Sequence, residues 1–196
     1  MKRLSTLLIF LTFLTPLLAA GELRPGDGAH GFELTDARTG KTVAFEPGDG
    51  GPAVIVFTCN HCPYAKAFEQ RLVDLGLDYQ EEGFAFYAIN PNDDEKYPVE
   101  RMGEMKSRAE KKDYPFPYLK DGDSTVARAY GARVTPHVFV VDGEGIVRYV
   151  GYIDDSARPD ERSHEGLSDA LNAMMAGTGI ERASTKAFGC TIKWKE

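Results

Sequence analysis

Short alternating runs and longer stripes of apolar residues succeed one another along this chain. FELTD (Phe32–Asp36) and KTVAF (Lys41–Phe45) alternate apolar with polar, and Ala37-Arg38-Thr39-Gly40 between them predicts the turn of a β-hairpin. A connector rich in Gly and Pro, Pro47 to Pro52, leads to AVIVFT (Ala53–Thr58), a continuous apolar, largely β-branched run that suits a strand covered on both faces. Next, Ala65, Phe68, Leu72, Leu75 and Tyr79 recur at steps of three and four, which makes one stripe of a helix from about Pro63 to Glu82, with Gly76 tolerated inside and Gly83 as its stop.

FAFYAIN (Phe84–Asn90) predicts a second buried strand, ended by Pro91, and a charged helix follows over Pro98–Lys112 with Val99, Met102, Met105 and Ala109 as its inner edge. The rest reads as a short strand in FPYLK (Phe116–Lys120), then a helix opened by Asp123 or Ser124 and closed at Gly131. HVFVVD and IVRYVGYI form a hairpin around the turn Asp142-Gly143-Glu144-Gly145. After a polar loop, Asp154 to Arg162, the last helix spans Ser163–Ala176 and turns Leu167, Leu171 and Met174 inward. Alternating β and α units of this kind predict the α/β class: a central mixed β-sheet of four to five strands flanked by helices, with an N-terminal β-hairpin. Cys59 then falls at the C-terminal end of a central strand, where α/β folds carry their chemistry.

Length and charge narrow the picture. With 196 residues the chain has room for one ordinary domain with a core of its own. The basic start Met1-Lys2-Arg3, the apolar Leu4–Leu18 and the small residues Ala19-Ala20-Gly21 read as a signal peptide over residues 1–20, which leaves a domain over 21–196. The apolar run is short of the roughly 20 residues of a spanning helix. The expected location is therefore periplasmic or secreted, and membrane-anchored if the leader is not cleaved. Loss of Lys2 and Arg3 takes the net charge from −7 to −9, which argues against nucleic acid as a partner.

Three cysteines are too few for a stapled scaffold, so Cys59 and Cys62 in FTCNHCPYAK read as chemistry. A sulfur at the junction of strand and helix faces the unpaired amides and positive end of the helix, which favour thiolate. Cys62, three residues on, is within reach to form a disulfide and to displace what Cys59 has captured. Asn60 and His61 are the residues placed to tune the thiol pKa. A structural disulfide or a zinc site competes with this reading, although zinc would need two further ligands from His30, His137, His164 and Cys190. Haem attachment is excluded, because Pro63 and not His follows Cys62. Cys190 reads as a small buried apolar residue, with an additional redox role or an intermolecular disulfide as its competitors.

Cys-x-x-Cys after a buried strand, with Tyr130-Gly131-Ala132-x-x-Thr135-Pro136-His137 entering a later strand, resembles the thioredoxin-like superfamily. FTCNHCPYAK, FPYLKD, ARAYGARVTPHVFVVD and GCTIKW together resemble its redoxin group, which is related to the peroxiredoxins of the AhpC/TSA kind and to membrane-anchored thiol-disulfide oxidoreductases. The resemblance implies that Cys59 is the nucleophile, Cys62 the resolving cysteine and Pro136 a cis proline beside them. It also implies that the backbone of Thr135 is free to bind a substrate chain. Thioredoxin's buried aspartate beneath the pair has no counterpart in AVIVF, which leaves proton transfer to water, His61 or His137. The expected function is an exported thiol-disulfide oxidoreductase, an enzyme that needs no cofactor and no resident metal. Its expected partners are protein or small-molecule thiols and disulfides and an unidentified electron donor or acceptor. The alternatives are a thiol peroxidase, although the peroxiredoxin proline and threonine spacing is not reproduced, and a Cu(I)-binding module on Cys59 and Cys62 assisted by His61 or His137.

Overall fold

The computed structural model describes residues 21–196, so the expected signal peptide over 1–20 lies outside the described residues. The alternating N-terminal runs pair antiparallel as β1 (Phe32–Asp36) and β2 (Thr42–Phe45), with Phe32 opposite Phe45. Behind them, β3 (Ala53–Phe57) is buried at every position. Its side chains alternate between two cores, Val54 and Val56 in one, Ala53, Ile55 and Phe57 in the other. Each such side chain adds about 1.5–3 kcal/mol by leaving water, which is why an unbroken apolar run takes a central place.

The helix α1 (Pro63–Glu81) lays Ala65, Phe68, Leu72 and Tyr79 inward, as the stripe predicts. Gly76 faces the sheet side of α1, where an added Cβ would stand 2.6 Å from the Phe116 ring. Next come β4 (Ala85–Asn90), α2 (Met102–Lys111), β5 (Tyr118–Lys120) and α3 (Thr125–Tyr130). The hairpin strands β7 (His137–Val141) and β8 (Val147–Gly151) and the helix α4 (Gly166–Met175) complete the predicted order. Between α3 and β7 lies β6 (Val134–Thr135), which pairs with β9 (Cys190–Thr191) outside the main sheet.

The seven main strands lie in the order β2-β1-β5-β4-β3-β7-β8. β3, β4 and β5 run parallel, while β7 pairs antiparallel with β3. The α1, α2 and α4 helices cover one face, and α3 with the N-terminal aromatic residues covers the other. This is the predicted mixed sheet between helices, with the hairpin of β1 and β2 extending the β5 edge.

Two boundaries differ from the pattern. The charged helix predicted over 98–112 is a short 3-10 turn, Pro98–Glu100, then extended backbone at Arg101 (φ −68°, ψ 153°), then α2. The break turns Glu100 inward and leaves Val99 exposed, the reverse of the helical reading. The last helix starts at Gly166, not Ser163, because the Asp155 carboxylate accepts from the Ser163 amide and hydroxyl and holds that residue in the loop. The α3 helix opens where the pattern has it, with Ser124 as its N-cap residue; the Asp123 carboxylate accepts from the Thr125 amide, and that of Asp121 from the Val126 and Ala127 amides.

Candidate active site

β3 ends at Phe57, and α1 begins at Pro63, so Cys59 to Cys62 form the loop between them. The residue that caps the helix is Cys62, not Cys59: the expectation that Cys59 faces the helix amides is met by its neighbour three positions on. Cys62 is extended (φ −62°, ψ 124°), and Pro63 occupies the first helical position, where a missing amide costs nothing. The side chain of Cys62 closes no cap hydrogen bond, yet the amides of Ala65 and Cys190 both favour its thiolate.

Both sulfurs sit against Thr135. The Cys59 Sγ lies 3.2 Å from the Thr135 hydroxyl, and the Cys62 Sγ lies 3.2 Å from the Thr135 carbonyl oxygen. Cys59 is 3% exposed and Cys62 is fully buried. All three cysteines are free thiols. Cys59 and Cys62 ionise as a coupled pair: contact with Cys62, burial, and the nearby Glu100 carboxylate push the Cys59 thiol well above the usual thiol range. Contact with Cys59 first, and with Cys190 and the amides after that, pulls the Cys62 thiol down against the opposing effect of burial. The first ionisation of the pair therefore lies below the ordinary thiol range and the second above it.

A polar floor supports the loop. The Glu100 carboxylate accepts from the Asn60 amide (2.9 Å), the His61 amide (3.2 Å), the Asn90 side chain (2.7 Å) and the His61 ring nitrogen Nδ1. Burial alone raises this carboxyl's pKa; the Asn60 amide and the His61 and Asn90 side chains outweigh it and hold the pKa below its ordinary value. The Asn60 side chain donates to the Val99 carbonyl at 2.7 Å and accepts from the Tyr118 hydroxyl at 3.0 Å. The ring of His61 stacks on Tyr97 at a centroid distance of 5.6 Å. Asn60 and His61 thus touch Glu100, and reach the sulfurs through it.

Glu100 is the site residue the sequence did not disclose. The strand beneath the cysteines carries no carboxylate; here a buried one arrives from the segment after β4. No residue type there signals the break: Pro98 sits at the first position of the 3-10 turn, where proline suits a helix equally well, and the chain leaves the helical path only at Arg101. Cys59, His61 and Glu100 present ligand atoms within 4.8 Å of one another. The two carboxylate oxygens have about four acceptor sites, and the four donors named above occupy them, so the geometry favours a hydrogen-bonded support over a metal ligand.

The Thr135–Pro136 peptide is cis, the isomer that the resemblance implied. The Thr135 backbone, in contrast, is not free: it lies opposite Cys190 in the ribbon of β6 and β9. Cys190 is half-buried, not fully buried, and packs against the cluster of Cys59, Cys62 and Ala65, beside the pair. His137, the other proposed proton carrier, lies within β7 beside Phe139, with its ring centroid 4.7 Å from that of Phe139. Neither of its ring nitrogens has a hydrogen-bond partner among the described residues, and Glu22 Oε1 stands 3.8 Å from Nε2.

Comparisons with known proteins agree with this architecture. The sequence model of the AhpC/TSA family matches residues 25–150. A Thiol:disulfide interchange protein DsbE of Pseudomonas aeruginosa is 27% identical over 110 residues, and the match spans about half of each chain, 54%. Two solved structures are similar over most of their length. An uncharacterized conserved protein of Geobacillus kaustophilus is 39% identical, with a TM-score of 0.82 over 88% of this chain and 93% of that one. A hypothetical protein of Sinorhizobium meliloti is 32% identical, with a TM-score of 0.81 over 89% and 97%. At 23% identity and a TM-score of 0.62, over 79% of this chain and 99% of that one, a putative DsbE of Chlorobium tepidum shares the fold.

Proposed function

The chain belongs to the AhpC/TSA family, a redoxin group of thioredoxin-like fold, and from that premise we propose that it is a thiol-disulfide oxidoreductase whose redox pair is Cys59 and Cys62. The observation that carries the reading is the pair itself: two free, buried thiols at the C-terminal end of a central strand, both against Thr135.

Cys59 is the attacking sulfur, being the less buried of the two. As its Sγ bonds to one sulfur of a substrate disulfide, its proton passes to the Cys62 thiolate. The S–S bond of the substrate breaks, and the departing thiolate takes that proton from Cys62. Cys62 then attacks Cys59 in the mixed disulfide, which forms the Cys59–Cys62 disulfide and releases the second thiolate. Two electrons pass to the substrate, and the reverse sequence oxidises a dithiol. Asn60 and His61 tune the pair through Glu100, and Thr135 and Pro136 form the wall against which a substrate sulfur docks. The leader over residues 1–20 supports an exported setting, in which a thiol pair meets disulfides.

A Cys62→Ser variant tests this reading. It should accumulate mixed disulfides on Cys59 that mass spectrometry identifies, whereas Cys59→Ser should accumulate none. A wild type without thiol exchange, combined with a Cys62→Ser variant that traps nothing, would overturn it. One observation favours a second reading, thiol peroxidase: a pair this covered admits peroxide more readily than a protein chain. Peroxide consumption that depends on Cys59 and exceeds the rate of a free thiol would support that activity, and consumption at the free-thiol rate would remove it.

A further inference from the structure

We propose that Cys190 is a third thiol of the site, which exchanges with the Cys59–Cys62 disulfide by attacking Cys62 and so carries the disulfide from the buried pair to the surface. The proposal rests on the reading of Cys59 and Cys62 as a redox pair.

Three observations place it. The Cys190 residue lies directly opposite Thr135 in the ribbon of β6 and β9, and Thr135 touches both sulfurs of the pair. Its side chain packs on Cys59, Cys62 and Ala65, and it is the only one of these three cysteines with more than marginal exposure. The segment is also fixed on both sides of it. Phe188 packs edge-on against Tyr64, Phe68 and Tyr152. The Ile192 amide donates to the Arg133 carbonyl at 3.0 Å, and the Lys193 amide donates to Asn92 Oδ1 at 2.8 Å. Between these anchors the backbone approaches so closely that a Cβ on Gly189 would stand 2.1 Å from the Thr135 carbonyl oxygen. This is a built position for a sulfur and not a loose tail.

The exchange balances. In the oxidised protein Cys190 attacks the Sγ of Cys62; the Cys62–Cys190 bond forms, the Cys59–Cys62 bond breaks, and the proton of Cys190 passes to Cys59. An external thiol then attacks the partly exposed Cys190 sulfur, and Cys62 leaves as a thiolate. A second equivalent of that thiol attacks the resulting mixed disulfide on Cys190, giving an external disulfide and the fully reduced protein. Cys62 is a good leaving group for this step because its thiolate is stabilised. A sulfur held in register competes at an effective concentration that no dilute external thiol matches. The bound strand thus has a purpose in a site whose pair is covered by it: the covering strand brings its own thiol.

The test uses the chain over residues 21–196 equilibrated in glutathione buffers, acid-quenched, alkylated and mapped for linked peptides by mass spectrometry. The Cys59→Ser variant, which keeps a hydroxyl against Thr135, should form an intramolecular Cys62–Cys190 disulfide. The oxidised Cys190→Ser variant should form only the Cys59–Cys62 link and be reduced by glutathione about tenfold more slowly than wild type. A Cys59→Ser protein that carries glutathione on Cys62 with Cys190 unlinked, together with unchanged reduction of Cys190→Ser, would overturn the proposal. So would a Cys59–Cys190 link in Cys62→Ser that forms faster than the Cys62–Cys190 link. Wild type that forms a Cys59–Cys62 disulfide but never a link to Cys190 fails this inference alone; wild type that forms no Cys59–Cys62 disulfide fails the redox-pair reading beneath it.

Discussion

β3 and the two ends of the segment from Asn90 to Glu100 are both buried, yet they are buried for opposite reasons. β3 is apolar throughout and contributes to both cores; its neighbours are interchangeable in kind, because the hydrophobic effect has no direction. The segment buries Asn90, Asn92, Asp93 and Glu100, none of which gains by leaving water, and each is held by named donors or acceptors. The first region builds a frame that many sequences would build. The second builds one arrangement of charge under one pair of sulfurs, and it depends on particular donors and acceptors.

The largest break is Glu100→Ala. It strands the Asn60 and His61 amides and the Asn90 side chain, and at about 1–3 kcal/mol per buried orphan it should lower urea-unfolding stability by several kcal/mol. Glu100→Gln keeps the shape and removes the charge. Because the carboxylate helps to hold the proton on Cys59, that variant should alkylate at Cys59 at lower pH than wild type. The linkage has a definite sign: the Glu100 pKa is depressed on folding, so its contribution is present above the ordinary carboxylate value of about 4.3 and lost as pH falls through the folded value.

A second break lies in β7. Burial first and Arg133 second lower the His137 pKa to about 4, while among the described residues Glu22 faces it with opposite charge. The unfolded chain takes up this proton near pH 6.5 and the folded chain does not, so stability is full above about 6.5 and falls towards pH 4, by about 3 kcal/mol over that window. His137→Leu should flatten urea-unfolding stability between pH 7.5 and pH 5; an unchanged slope would show that His137 is not buried neutral. In the apolar frame, Ile55→Val should cost only about 1 kcal/mol and leave the alkylation profile of the cysteines unmoved. Smallest of all, Val99→Ser should stay within about 0.5 kcal/mol, since the side chain is exposed and Asn60 uses only its carbonyl.

The same division explains what the sequence disclosed. Apolar runs and stripes located β3, α1, β4, the hairpin of β7 and β8, and the Cys59–Cys62 loop, because burial of apolar surface leaves a period in the chain. Glu100 was hidden because a buried carboxylate and a surface carboxylate look alike in a charged segment; only its donors, as distant as Asn60 and Asn90, distinguish them. The pairing of Cys190 with Thr135 was hidden for another reason. A two-residue strand has no period, and Phe188 and Ile192, which fix it, find their partners far away in sequence.

Burial of Glu100 also separates two responses to added salt. Mobile ions screen exposed charges beyond a Debye length of about 8 Å at physiological ionic strength, but they cannot enter around a carboxylate with no accessible surface. Association with charged substrates, governed by a chain of net charge −7, will follow the buffer. The pull of Glu100 on the Cys59 thiol will not, so that part of the site keeps its electrostatics across media of very different ionic composition.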